Sequence, residues 1–156
     1  MEYATFGGGC FWGVEEAFRH QKGVTSTRVG YTGGHVENPT YEQVCGGKTG
    51  HAESVEVIFD PRQISYEELL KIFWQEHDPT ELNKQGPDVG HQYRSVIFYH
   101  HGAQQKAALH SKEELEKSKK YDKPVVTEVV PAGTFYPAED YHQQYLEKRG
   151  LSTCRI

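Results

Sequence analysis

Cysteine is scarce in this 156-residue chain, with only Cys10, Cys45 and Cys154. Three scattered thiols cannot make a disulfide scaffold. No C-x-x-C pair and no H-E-x-x-H occurs, so neither a zinc knuckle nor a zinc protease is signalled and no bound metal is expected. No apolar run approaches the roughly 18 residues that a membrane span needs. The N-terminus shows neither the charged lead nor the hydrophobic segment of a secretory signal. Basic excess is missing too: 22 acidic against 17 basic side chains give a net charge of −5, which argues against nucleic acid as a partner. The expectation is a cytoplasmic, monomeric protein whose thiols are available for chemistry.

The length suits one compact domain. A short strand over 3–6 stops at Gly7-Gly8-Gly9, and a helix is predicted over about 12–21, with Val14, Ala17, Phe18 and Gln21 on one face. A strand over 25–31 follows. Residues 32–50, with five glycines and one proline, read as a long loop, of a length that is usually functional or disordered. His51 to Phe59 reads as a strand. Ser65 and Glu68 form the capping box of a helix through His77. A second polar loop covers 78–92, then a strand over 93–99, a charged helix over 103–119 and a strand over 125–130. Pro137 suits the first turn of a helix reaching Lys148. Residues 1–148 are expected to form the catalytic domain, and 149–156 a loose tail. Strands and helices mix without strict alternation, which predicts an α+β fold with helices packed on one sheet.

Cys10 follows the glycines and immediately precedes a helix. There the macrodipole and unpaired N–H groups favour the reactive thiolate, although a lone cysteine is as readily a buried structural one. Phe11 and Trp12, beside it, are either ordinary core or an apolar socket for a small group such as a methyl. Glu53 shares a strand face with Val55, Val57 and Phe59. Desolvation there would keep its carboxyl protonated near neutrality, as a reaction that loses oxygen as water requires. The competing reading is an edge-strand carboxylate turned to solvent. Tyr41, Asp88 and Tyr93, in or beside the two loops, could together hold a polar oxygen. Cys154 near the end could resolve an oxidised Cys10, and Cys45 competes for that role. No histidine pair shows supported metal-ligand spacing; His142 stands beside the site candidates as a packing or supporting group.

Gly9-Cys10-Phe11-Trp12-Gly13 resembles the active-site signature of the A-type peptide-methionine sulfoxide reductases. The likeness continues through Gly30-Tyr31-Thr32-Gly33-Gly34, Asn38-Pro39-Thr40-Tyr41, Gly50-His51-Ala52-Glu53, Asp88 to Ser95 and Tyr141 to Leu146, in family order over most of the chain. The resemblance implies a two-layer α/β sandwich with a ferredoxin-like mixed sheet. It implies reduction of the S epimer of methionine sulfoxide, free or in proteins, without metal or organic cofactor. Cys10 is similar to the family nucleophile, Phe11 and Trp12 to the methyl pocket with His142 beside them, Glu53 to the proton donor, and Tyr41, Tyr93 and Asp88 to the groups holding the sulfoxide oxygen. The sequence ends two residues after Cys154. The implied relay is therefore a single Cys10–Cys154 disulfide, reduced by thioredoxin or dithiothreitol. Two other readings stand against this: a cysteine hydrolase with His142 or His51 as base, and a non-enzymatic module that binds methionine or sulfoxide peptides.

Overall fold

The computed structural model describes residues 1–150; Cys154 lies outside the described residues. In chain order the elements are β1 (Glu2–Gly7), α1 (Phe11–Arg19), β2 (Val24–Thr32), α2 (Tyr41–Cys45), β3 (Ala52–Phe59), α3 (Tyr66–Glu76), β4 (Lys84–Gln85), β5 (Asp88–Val89), β6 (Val96–Tyr99), α4 (Gly102–Lys117), β7 (Glu128–Pro131), β8 (Tyr136–Pro137) and α5 (Tyr145–Lys148). Single 3₁₀ turns occupy His91–Tyr93 and Asp140–His142.

Six strands form one sheet in the order β7-β6-β1-β3-β2-β8. All neighbours are antiparallel except β6 and β7, which are parallel and joined through α4. A parallel pair needs such a crossover, whereas antiparallel pairs do not. The β4–β5 hairpin stands apart.

The period of two along the strands sorts the sheet's faces. Ala4 and Phe6 of β1, Val29 and Tyr31 of β2, Val55, Val57 and Phe59 of β3, and Ile97 of β6 are all buried on one side. Against them lie Val14 and Phe18 of α1, Leu69, Leu70 and Phe73 of α3, and Ala108 of α4. Phe6 is the centre of this layer, stacked between Phe18 at 5.1 Å and Phe73 at 5.0 Å. Offset stacking adds to the hydrophobic gain there. A smaller cluster of Ala52, Val96 and Phe98 occupies the opposite face. The residue pattern predicts the α+β class with helices packed on a sheet, and the two layers and mixed sheet are those that the resemblance implies.

Four local expectations are corrected. The long 32–50 segment is not loop throughout: α2 forms inside it, started by a Thr40/Gln43 capping box. The 78–92 segment contains the β4–β5 hairpin. The strand expected from Tyr93 begins at Val96, because Gly90 (φ 148°) leads into the His91–Tyr93 turn. The helix expected from Pro137 to Lys148 is broken. Pro137 pairs with Gly30 on the edge strand β8, where a missing N–H costs nothing. Gln144, in the left-handed region at φ 48°, then confines the helix to α5.

Candidate active site

The turn between β1 and α1 sets Cys10. Gly9 has φ +93°, and a Cβ there would approach the Gln85 side chain to 3.0 Å. The backbone conformation therefore favours glycine, and any side chain would also require Gln85 to give way by a few tenths of an ångström. The Gly9 N–H donates to the Tyr93 carbonyl at 3.2 Å, tying this turn to the one after β5. Cys10 is then the N-cap of α1 (φ −62°, ψ 124°) and is partly exposed. A thiol in that position lies among the helix's first N–H groups.

Glu53 lies at the start of β3 with 1% of its surface exposed. Its Oε1 accepts the Phe11 N–H at 3.3 Å, so the carboxyl sits one residue from the thiol, at the opening of the same helix. The strand alternation that placed Glu53 on the face of Val55, Val57 and Phe59 holds.

Two phenols share this space. Burial, and after it the nearby Glu53 carboxyl, push the Tyr41 hydroxyl above its usual range. The Tyr93 hydroxyl is raised by the same pair of causes, with further contributions from Cys45, Asp88 and Cys10. Both are therefore neutral donors across the physiological range. Asp88 is partly buried in β5, next to the Tyr93 turn. Cys10, Glu53, Tyr41, Tyr93 and Asp88 thus converge, although they come from five separate segments. Cys45, exposed as a residue, belongs to the same neighbourhood: the Tyr41 hydroxyl donates to its sulfur, and partial desolvation of that sulfur outweighs this bond and holds the thiol above its usual range.

Phe11 is buried and forms the base of the site rather than its rim. Tyr41 stacks over it at 6.4 Å and 15°. Trp12 is partly exposed, with Tyr145 stacked on it at 3.7 Å and 9°. The Trp12 indole N–H donates to His142 Nδ1 at 3.0 Å. His142 is fully buried, and its ring lies 4.4 Å from that of Tyr41. Burial lowers its pKa, with partial opposition from Glu139. A neutral imidazole accepting at Nδ1 carries its proton on Nε2. His51 spends both nitrogens on the backbone: Nδ1 accepts the Gly34 N–H at 3.0 Å and Nε2 donates to the Val36 carbonyl at 2.7 Å. It braces the loop before α2 and is not available as a catalytic base.

Several contributors leave no sequence signal. Glu139 bonds Tyr31 and the Tyr41 backbone. Glu15 of α1, 1% exposed, accepts from Thr27 Oγ1 at 2.8 Å, the Gln144 N–H at 2.8 Å and Gln144 Nε2 at 2.9 Å. It anchors the turn that delivers Tyr145 to Trp12. Among the described residues, no group of three or more His, Cys, Asp or Glu is arranged to hold a metal ion.

A thiol at a helix N-terminus, facing a buried carboxyl and two neutral phenols, is built for nucleophilic sulfur chemistry coupled to proton delivery. A family model described as peptide methionine sulfoxide reductase matches residues 2–156. The chain is 66% identical over 151 residues to the peptide methionine sulfoxide reductase MsrA of Methanosarcina acetivorans, covering 97% of this chain and 80% of that protein. Among solved structures, reduced Mxr1 from Saccharomyces cerevisiae superposes with a TM-score of 0.90 at 38% identity, over 96% of this chain and 86% of that one. Mxr1 in complex with Trx2 matches with a TM-score of 0.65 at 27% identity, over 92% and 84% of the two chains. The chain belongs to the peptide methionine sulfoxide reductase family.

Proposed function

We propose that this protein reduces the S epimer of methionine sulfoxide, free or in proteins, to methionine, with Cys10 as nucleophile. The observation that carries the reading is the Phe11 N–H to Glu53 bond, which holds a buried carboxyl beside the thiol at the mouth of α1. The helix N-terminus favours the Cys10 thiolate. Burial of Glu53 favours its neutral acid, which is the form able to give up a proton. The Tyr41 and Tyr93 hydroxyls donate to the sulfoxide oxygen, with Asp88 supporting Tyr93. Trp12, kept in orientation by His142, receives the substrate methyl group above Phe11.

Sulfur of the Cys10 thiolate attacks the sulfoxide sulfur while Glu53 protonates the oxygen. In the adduct the hydroxyl oxygen passes from the substrate sulfur to the Cys10 sulfur as the sulfur–sulfur bond just formed breaks; methionine departs with that electron pair, and Cys10 is left as a sulfenic acid. Cys154 then attacks Cys10, releasing water and forming a disulfide. A dithiol, thioredoxin in the cell or dithiothreitol in a tube, reduces that disulfide by exchange. The Mxr1–Trx2 complex supports thioredoxin as the reductant. In this reading residues 1–148 are one catalytic domain, 149–156 carry the resolving thiol, and the protein works as a cytoplasmic monomer.

Catalytic amounts of purified protein given separate S and R sulfoxide epimers should consume only the S epimer, beyond one equivalent per enzyme only with dithiothreitol, and not at all as Cys10→Ser. Turnover of the R epimer, or activity retained in Cys10→Ser, would overturn the assignment. Peptide mapping of the oxidised protein should recover Cys10 linked to Cys154. A dominant Cys10–Cys45 link would instead move the resolving role to α2.

A further inference from the structure

Glu139 takes no part in the chemistry just described, yet it is bonded to the residues around it in a way that bears on Tyr41. The pairing of Tyr136 and Pro137 with Tyr31 and Gly30, extended by the Ala138 N–H to the Val29 carbonyl at 2.9 Å, carries Glu139 to the end of the buried Tyr31 ring. Glu139 Oε1 accepts the Tyr31 hydroxyl at 2.9 Å, and Oε2 accepts the Tyr41 N–H at 3.1 Å. Burial alone would raise its pKa, but these two bonds and one from its own N–H outweigh it and leave the group lowered and charged.

The opening of α2 shows why that second bond matters. The capping box satisfies the N–H groups of Thr40 and Gln43. The Tyr41 N–H is served instead by Glu139, the tie from the sheet side to the first residue of the helix. Tyr31, bonded to Glu139 through its hydroxyl, and Tyr41, bonded through its backbone N–H, both pack their rings on Phe11, at 5.8 Å and 6.4 Å. One carboxylate therefore references the Tyr41 hydroxyl to the residue adjoining Cys10.

We propose that Glu139 is a positioning residue for sulfoxide reduction, acting through Tyr41 by holding its backbone N–H and the Tyr31 hydroxyl on one carboxylate. The proposal rests on the reading of Tyr41 as a donor to the sulfoxide oxygen. A glutamine at this position offers one acceptor oxygen, and its amide group faces the second donor. One charge-assisted bond is lost while the volume is kept.

The test is a double-mutant cycle on the full chain. Enzyme in excess over the S epimer is quenched at intervals without reductant, and released methionine is quantified. Glu139→Gln should lower this single-turnover rate constant about tenfold, the order expected for losing a hydrogen bond to a charged group. Concentration for half-maximal rate should change much less. In a Tyr41→Phe background the same Glu139→Gln change should cost almost nothing, because the hydroxyl it positions is already gone. Tyr31→Phe, which removes only the other donor, should reproduce a smaller loss with the same dependence on Tyr41, and it serves if Glu139→Gln fails to fold. Equal losses in both backgrounds would overturn the positioning role while leaving the chemistry of Tyr41 standing. A Tyr41→Phe enzyme as fast as the parent would overturn both.

Discussion

The thiol and the acid are each placed by a single local feature: Cys10 by a glycine turn that opens a helix, and Glu53 by the alternation of a strand. Such features are written in neighbouring residues, which is why both could be read from the sequence. Glu139 could not, because its partners Tyr31 and Tyr41 lie 108 and 98 residues away. His142 is named from the sequence as a supporting group, but its bond to Trp12, across 130 residues, is not legible there. Contacts of that span arise from the fold and leave no periodicity behind. The acid role proposed for Glu53 makes a sharp expectation at this scale. Glu53→Gln keeps the shape and an acceptor for the Phe11 N–H but has no proton to give. Its single-turnover rate at neutral pH should fall by roughly 10²- to 10⁴-fold, the usual worth of a general acid. Alkylation of Cys10 by iodoacetamide should continue in the same variant. Full sulfoxide reduction by Glu53→Gln would remove the acid role.

Helix starts were legible where a capping box preceded an obvious apolar face, and obscured where it did not. Ser65 and Glu68 cap α3 as read: the Glu68 N–H reaches Ser65 Oγ at 3.1 Å and the Ser65 N–H reaches Glu68 Oε1 at 3.3 Å. The equivalent Thr40-x-x-Gln43 pattern was present in plain view. The glycines around it and the brevity of α2, five residues with Val44 alone buried, mask it. Pro137 misled in the other direction. Proline serves an edge strand as well as a helix start, and only the pairing with Gly30 decides between them. Since the Ser65 cap is exposed and remote from Cys10, Ser65→Ala should cost about 1 kcal/mol. Denaturant melts should show a lowered midpoint with an unchanged slope, and sulfoxide turnover should be unaffected.

For the molecule as a whole, Asp60 couples stability to acid. It closes β3 and accepts from the Arg62 N–H at 3.0 Å, the Arg62 guanidinium at 3.2 Å and Gln63 Nε2 at 3.2 Å. The Arg62 side chain foremost, with its backbone N–H, depresses the carboxyl from 3.8 to about 2. A depressed native pKa contributes stability above the unfolded value and loses it as the native group is protonated. Parent and Asp60→Asn should therefore differ in melting temperature at neutral pH and converge between about pH 4 and pH 2. A gap that stays constant across that window would mean the carboxylate charge is not what matters. At this scale too, the segment after β8 returns to α1 through Gln144, Tyr145 and the Arg19–Glu147 ion pair, which closes the site from the far end of the chain. The chain has two tryptophans, and this return gives them unlike settings. Trp74 is locked between α3 and α4 by its bond to Ser111 at 2.7 Å, while Trp12 lies under Tyr145 at the site's mouth. The molecule thus has two built-in fluorophores that report on different things, one on the integrity of the helical layer and one on occupancy of the pocket. With Trp74 replaced by phenylalanine, all indole emission would come from Trp12, two positions along the chain from Cys10.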